Sequence, residues 1–202
     1  MIKNVVFDFG QVMIRFEPKY MTEKYISDRA DAQLVEQVVF DRLYWDRLDA
    51  GTLSNEELLA AVRTRLPERL WAVAEQIYYQ WIYNLPEMEG MRELILDIKE
   101  QYGVSVYLLS NISAYFAEHA AEIPILSLLD GCMFSATCGR IKPNLDFFEH
   151  LFEQMQIDPT QSVFVDDRAD NVESACRLGM SGYVFDGNAA ALRAYLEQLL
   201  TA

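Results

Sequence analysis

Short apolar runs rich in β-branched and aromatic residues alternate with helical segments along most of this chain. The runs occupy residues 4–9, 104–109, 132–134, 162–165 and 183–185. Stretches with helical periodicity lie between them, at residues 91–101, 114–122, 145–155 and 171–178. Strands that alternate with helices of this length are typical of parallel sheets, since each crossover requires a helix. The sequence therefore predicts an α/β fold, a Rossmann-like parallel sheet covered by helices on both faces.

The stretch at residues 17–86 interrupts this alternation. Its apolar positions, such as Leu58 and Val62, recur at helical spacing, and no convincing strand is visible. Ser54 followed by Glu57 resembles a capping box that opens one of these helices. We expect a helical subdomain inserted into the sheet domain. The predicted division is a core at residues 1–16 and 87–202 and a helical insert at residues 17–86.

The chain is strongly acidic, which limits the partners it can bind. It has 17 Lys and Arg against 31 Asp and Glu, a formal net charge of −14. Binding to nucleic acids or anionic membranes needs clustered basic side chains, so neither partner is expected. Three cysteines without paired spacing predict free thiols. No segment approaches 18 apolar residues, and the first apolar run is far shorter than a secretory signal, so we expect a cytoplasmic protein.

Four polar clusters follow apolar runs, where strands are expected to end. In open α/β sheets ligands bind at such positions, because the loops converge there and helix N-termini offer N–H groups to anions. The clusters are Asp8-Phe9-Gly10-Gln11-Val12, Ser110-Asn111, Lys142-Pro143, and Asp166-Asp167 with Asn171. Their common placement predicts one site at the carboxyl edge of the sheet.

The residue types in these clusters suit phosphate and metal chemistry. Asp8 could be a nucleophile or a metal ligand, and Gly10 permits close approach of the backbone. Adjacent carboxylates at Asp166 and Asp167 repel each other unless a cation or helix N-terminus holds them, and such oxygen ligands suit Mg²⁺. Taken singly, each cluster also has a simpler interpretation: a turn at Asp8, a helix cap at Ser110, a solvated Lys142, or acidic caps without metal.

Together, in this order and at these distances, the four clusters resemble the four motifs of the haloacid dehalogenase superfamily. The match covers nearly the whole chain, with a helical cap between the first two motifs. The motifs are most similar to those of phosphatases active on sugar phosphates of the glucose 1-phosphate type. The cap segment at residues 46–54, Asp-Arg-Leu-Asp-Ala-Gly-Thr-Leu-Ser, resembles that subgroup as well.

This resemblance implies a role for each motif residue. Asp8 would attack phosphorus and form an aspartyl-phosphate, which water then hydrolyses. Mg²⁺ would be held by Asp8, the backbone carbonyl of Gly10 and Asp167, with Asp166 nearby. The remaining residues have two implied roles: Asn171 supports the loop, while Ser110, Asn111 and Lys142 bind the phosphoryl oxygens.

One position departs from the pattern of many phosphatases in this superfamily. They carry a second Asp two residues after the nucleophile, which protonates the leaving group, whereas this chain has Gly10. General acid–base assistance contributes about 10²–10⁴-fold. Two explanations are open: a substrate with a good leaving group, or a proton donor from the cap, for which Asp46 and Glu17 are candidates.

The sequence thus predicts a hydrolase, a Mg²⁺-dependent phosphatase of a small phosphorylated metabolite. Two alternatives remain. The chain could be a non-catalytic or weakly catalytic protein that binds a phosphorylated metabolite. The absence of an acid at Gly10 supports this alternative. It could also be a 2-haloacid dehalogenase, which uses the same nucleophile without metal. The acidic pair Asp166 and Asp167, which dehalogenases dispense with, argues against the last alternative.

Overall fold

Five parallel strands form the centre of the computed structural model, which describes residues 1–201. The strands are β1 (Asn4–Phe7), β2 (Ser105–Ser110), β3 (Gly131–Phe134), β4 (Ser162–Asp166) and β5 (Ser181–Val184), in the spatial order β3-β2-β1-β4-β5. The chain winds outward from β1 to β3 and then resumes on the other side of β1 with β4. This reversal places a ligand-binding crevice at the carboxyl ends of β1 and β4.

Helices cover both faces of the sheet. They are α6 (Met91–Tyr102), α7 (Ala114–His119), α8 (Ser135–Cys138), α9 (Leu145–Met155), α10 (Ala169–Arg177) and α11 (Ala189–Thr201). Alternate residues of β1 point to opposite faces. Val5 and Phe7 pack in the larger core with α6 and α11, while Val6 packs with α9 and α10. None of the described helices is both long and apolar enough to cross a bilayer.

The predicted fold class is confirmed, with small differences in the elements. Strand β1 ends at Phe7, so Asp8 and Phe9 already belong to the loop. The helix predicted at 114–122 divides into α7 and a 3₁₀ turn. Helix α11 was not predicted. Strands β1 and β4 are fully buried, which explains why their sequences are continuous apolar runs rather than alternating ones.

Five helices occupy the chain between β1 and β2 before α6 begins. They are α1 (Pro18–Glu23), α2 (Arg29–Val39), α3 (Arg42–Asp49), α4 (Asn55–Arg65) and α5 (Trp71–Gln80). Residues 17–86, all of them described, contain no strand. The Ser54 hydroxyl accepts from the Glu57 N–H at 3.2 Å, and the Glu57 carboxylate accepts from the Ser54 N–H at 2.8 Å, so the predicted capping box is present.

Aromatic side chains join these five helices to the sheet domain. The Trp81 ring stacks on Phe116 of α7, with 5.6 Å between ring centroids. Phe116 in turn lies 4.9 Å from Phe9, directly after β1. Pairs at such distances contribute about 0.5–1.5 kcal/mol beyond the area they bury. The helical segment and the sheet domain therefore share one continuous apolar core.

A second junction lies at the end of α3, against the first residues of α8. The Ser135 hydroxyl donates a hydrogen bond to the backbone carbonyl of Asp49. Gly51 has a φ of +69°, and a Cβ added there would lie 2.8 Å from the carbonyl oxygen of Ala136. Both contacts involve backbone atoms, so the end of α3 is fixed tightly to the sheet domain.

We expect Gly51→Ala to destabilise the protein more than Gly103→Ala. Both glycines have a left-handed backbone, which costs a residue with a Cβ about 1–2 kcal/mol, but a Cβ at Gly103 would meet nothing within 4 Å. The clash with Ala136 should add about 1–3 kcal/mol to the Gly51→Ala loss. Urea denaturation of the two variants measures the difference. Equal losses would contradict the close approach.

Candidate active site

A buried lysine bridges two carboxylates at the carboxyl ends of β1 and β4. The Lys142 Nζ lies 2.6 Å from Asp8 Oδ1 and 2.7 Å from Asp166 Oδ2. Asp8 follows β1 and Asp166 ends β4, so the pairing of these two neighbouring strands brings the carboxylates together. The side chains of Lys142 and Asp166 are at most 1% exposed, whereas the side chain of Asp8 is 13% exposed. Asp8 is therefore the most exposed member of the group.

Within this group, neighbouring charges shift the pKa of Asp8 and that of Lys142. Burial raises the pKa of Asp8 and Asp166 raises it further, while Lys142 opposes both effects. Burial would lower the pKa of Lys142, but Asp8 and Asp166 together raise it above its usual value. At neutral pH Lys142 is therefore a cation. A buried cation with two carboxylates offers a ligand a net negative site, which favours a second, external cation.

Three carboxylates are close enough to share such a cation. Asp8, Asp166 and Asp167 each offer an oxygen, and the three oxygens lie within 4.8 Å of one another. Burial, and then the charge of Asp166, raises the pKa of Asp167. Carboxylate oxygens are the ligands that Mg²⁺ prefers, so the donor set fits this ion.

Asn171 supports the carboxylates from the first turn of α10. Its Nδ2 donates to both oxygens of Asp166 at 3.0 Å. Its Oδ1 is buried and, within residues 1–201, has no hydrogen-bond partner. A buried oxygen without a donor is costly unless a cation or water approaches it, so this atom is a second observation that fits a cation at the acidic cluster.

Asn111 anchors the loop that carries Lys142. Its Nδ2 donates to the Lys142 carbonyl at 2.9 Å, and its Oδ1 accepts from the Lys142 N–H at 2.8 Å. The amide therefore makes a two-bond clamp between the end of β2 and the lysine. Ser110, the last residue of β2, is nearly fully buried beside it. Sequence reasoning predicted that Asn111 binds an anion; the structure gives its side chain a positioning contact with Lys142.

These residues line a cavity of about 360 Å³ between the sheet and the helical segment. This volume lies in the range of small-molecule sites. Of the residues predicted for the site, Asp8, Gly10, Ser110, Asn111, Lys142 and Asp167 line the cavity, and Asp166 does not. The opposite wall is formed by Phe16, Arg42, Trp45, Asp46, Asp49 and Trp81.

The two acidic residues that were predicted as proton donors from the cap differ in their position relative to the cavity. Asp46 lines the cavity, but its carboxylate pairs with Arg42 at 2.6 Å, and both side chains are largely exposed. Glu17 is exposed and does not line the cavity. Asp49, which sequence reasoning missed, lines it from the last turn of α3. The spacing of Asp49 from Asp46 could have indicated this position, since residues three apart share a helix face.

The fold and the site define an α/β protein with an acidic centre, whose donor set fits a cation, at the switch point of a parallel sheet. The chain belongs to the haloacid dehalogenase-like hydrolases, whose family profile matches residues 2–179. It is 26% identical over 181 residues to a sesquiterpene phosphatase of Aspergillus oryzae, covering 89% of this chain and 88% of the relative. It is 26% identical over 193 residues to a D-ribitol-5-phosphate phosphatase of Bacteroides thetaiotaomicron, covering 91% of each chain.

A solved structure has the same fold. The chain is similar to a haloacid dehalogenase family enzyme of Bacteroides thetaiotaomicron, crystallised in complex with magnesium and inorganic phosphate, with a TM-score of 0.69 and 20% identity. The match covers 93% of this chain and 96% of that structure. The family profile confirms the membership that the motifs predicted, and the protein is a hydrolase.

Lys142→Met should lower the free energy of unfolding by about 3–5 kcal/mol in metal-free buffer at neutral pH, because it leaves two buried carboxylates without their cation. Arg63→Met is the matched control. It removes an ion pair with Glu75 whose two side chains are 48% and 41% exposed, and should change stability by less than about 1 kcal/mol. Urea denaturation compares the variants, and similar losses would contradict the role of Lys142 in the buried group.

Proposed function

We propose that the protein is a Mg²⁺-dependent phosphatase that hydrolyses a small phosphorylated metabolite through an aspartyl-phosphate on Asp8. The observation that carries this proposal is the group of Asp8, Lys142 and Asp166, in which Asp8 and Lys142 line the cavity and Asp8 is the most exposed. The two curated relatives named above are phosphatases, and a structural neighbour was crystallised with magnesium and phosphate. Both facts support the proposal.

Asp8 acts as the nucleophile in this mechanism. One of its oxygens attacks phosphorus, a bond forms between this oxygen and phosphorus, and the bond to the substrate's ester oxygen breaks. Lys142 holds the Asp8 carboxylate in one orientation through the 2.6 Å contact. Its ammonium also lies where it stabilises negative charge on the phosphoryl oxygens. Ser110 and Asn111 complete the wall that receives the phosphoryl group.

Asp8, the backbone carbonyl of Gly10 and Asp167 would hold Mg²⁺, with Asp166 and Asn171 behind them. When bound there, the ion neutralises charge on the phosphoryl group and the attacking carboxylate. The three carboxylate oxygens within 4.8 Å and the unpaired Asn171 Oδ1 support this assignment. The same acidic group counts against the dehalogenase alternative, which needs no cation.

Residues 17–86 act as a cap on a catalytic core formed by residues 1–16 and 87–202. Arg42 and the Trp45 and Trp81 rings stand on the cavity wall opposite Asp8, so the cap decides which leaving group fits. A cavity of about 360 Å³ suits a metabolite of the size of a sugar phosphate. The net charge of −14 disfavours nucleic acids as substrates.

We expect the purified protein to release inorganic phosphate from some members of a panel of sugar phosphates, nucleotides and an aryl phosphate, and only with Mg²⁺ present. Asp8→Asn should reduce release to background, because an amide oxygen is a poor nucleophile. Release that persists in Asp8→Asn would contradict the proposed nucleophile. No release from any substrate by folded wild-type protein would instead favour a binding protein without turnover.

Mg²⁺ should raise the thermal unfolding midpoint of the wild-type protein, by the equivalent of about 2.7 kcal/mol at a hundredfold excess over Kd. Asp167→Asn should abolish most of this rise. Asp170→Asn is the control, because Asp170 is exposed, pairs with Arg168 at 2.6 Å and lies outside the carboxylate cluster. A rise of equal size in all three proteins would place the ion elsewhere.

A further inference from the structure

Hydrolysis of an unactivated phosphate ester needs a proton at the leaving oxygen, and Gly10 has no side chain to supply one. An alkoxide is a poor leaving group, so a positioned acid contributes about 10²–10⁴-fold to such a reaction. Lys142 is committed to Asp8 and Asp166. Asp167, the other carboxyl group of the sheet domain that lines the cavity, is assigned to Mg²⁺ in the proposed mechanism. The opposite wall of the cavity also carries carboxyl groups, which are candidates for the donor.

We propose that Asp49 is the general acid and base of this enzyme. This inference rests on the phosphatase function proposed above. Asp49 ends α3 and lines the same cavity as Asp8. In the described part of the chain its carboxylate takes part in no salt bridge or side-chain hydrogen bond, unlike that of Asp46, which pairs with Arg42. The carboxyl group of Asp49 is thus available to a substrate in the cavity.

The backbone around Asp49 is fixed to the sheet domain. The Ser135 hydroxyl donates to the Asp49 carbonyl and accepts from the Ile112 N–H at 2.8 Å. Ser135 is fully buried, and Gly51 lies against the backbone of Ala136. These contacts tie α3 to the loop that follows β2, next to Ser110 and Asn111. A catalytic group on a segment held this way keeps its position relative to the phosphoryl site.

The surroundings of Asp49 bring the pKa of its carboxyl group close to neutral pH. Burial raises its pKa to about 7. The negative charges of Asp46 on its own helix and Asp8 across the cavity act in the same direction, while Arg42 and Lys142 oppose them. A carboxylic acid with a pKa close to the working pH can both give and take a proton within one turnover.

In this proposal hydrolysis proceeds in two chemical steps. In the first step an Asp8 oxygen bonds to phosphorus, the ester bond breaks, and the Asp49 carboxyl proton moves to the leaving oxygen, which gives a free alcohol. In the second step a water oxygen bonds to phosphorus and its proton moves to the Asp49 carboxylate, while the bond to Asp8 breaks. Phosphate leaves, and both aspartates return to their starting states.

The test measures leaving-group release in single turnovers, with enzyme in excess and Mg²⁺ present, from glycerol phosphate and from p-nitrophenyl phosphate. Asp49→Asn should slow alcohol release about 10²–10⁴-fold and slow nitrophenolate release much less, because nitrophenolate needs no proton to leave. Asp49→Glu should recover part of the alcohol release, since it keeps the acid. Asp46→Asn, on the same helix and the same wall, should keep the wild-type ratio of the two rates when both are measured well below the pKa of Asp49, where Asp49 stays protonated without the charge of Asp46.

The pH profile provides a second measurement. Only protonated Asp49 can act in the first step, so the wild-type rate with glycerol phosphate should fall as pH rises through the pKa of Asp49. This alkaline fall should be absent from Asp49→Asn, whose circular dichroism spectrum and thermal midpoint verify its folding.

The outcomes separate this inference from the function on which it rests. Wild-type protein that releases neither leaving group would overturn the phosphatase function itself. An active wild type combined with an Asp49→Asn variant that slows both substrates equally, or neither, would leave the phosphatase standing and overturn the role of Asp49. The same conclusion follows if Asp46→Asn shows the selective loss instead.

Discussion

The ion group of Lys142 with Asp8 and Asp166 is the interaction on which the rest of the site depends. Three charges removed from water are stable only if their geometry is well fixed, because each unpaired buried charge costs several kcal/mol. Three features of the fold fix this geometry. Strands β1 and β4 are neighbours and bring the two carboxylates to one edge, Asn111 clamps the backbone of Lys142, and Asn171 donates to both oxygens of Asp166. The site is therefore organised before any ligand binds.

The helical segment supplies what the sheet domain lacks. The sheet contributes anchored charges, while the wall formed by Arg42, Trp45, Asp49 and Trp81 contributes shape and, in our proposal, the exchangeable proton. The two parts can act on one substrate only if the junction between them is rigid. The Ser135 hydroxyl, the close approach of Gly51 to Ala136 and the stacking of Trp81 on Phe116 all cross between the two parts of the chain.

Much of the fold was predictable because the responsible signals are local. Buried parallel strands are continuous apolar runs, and the carboxyl ends of such strands meet at one edge, so Asp8, Ser110 and Asp166 could be brought together from the sequence. The end of β1 at Phe7 and the presence of α11 were not predicted. The clamp of Asn111 on Lys142 was beyond prediction, since it depends on how two loops pack. Asp49 was missed for a similar reason: its helix was predicted as part of the insert, but the face that turns toward the cavity depends on tertiary packing.

The most direct test of Asp8 as the nucleophile is chemical trapping of the aspartyl-phosphate. Protein quenched during turnover of p-nitrophenyl phosphate is treated with borohydride, which reduces an acyl phosphate to an alcohol, and its peptides are sequenced by mass spectrometry. We expect homoserine in place of Asp8, formed only when substrate is present. Steady release of phosphate with Asp8 unmodified, or with the reduced residue at another carboxylate, would contradict this role of Asp8.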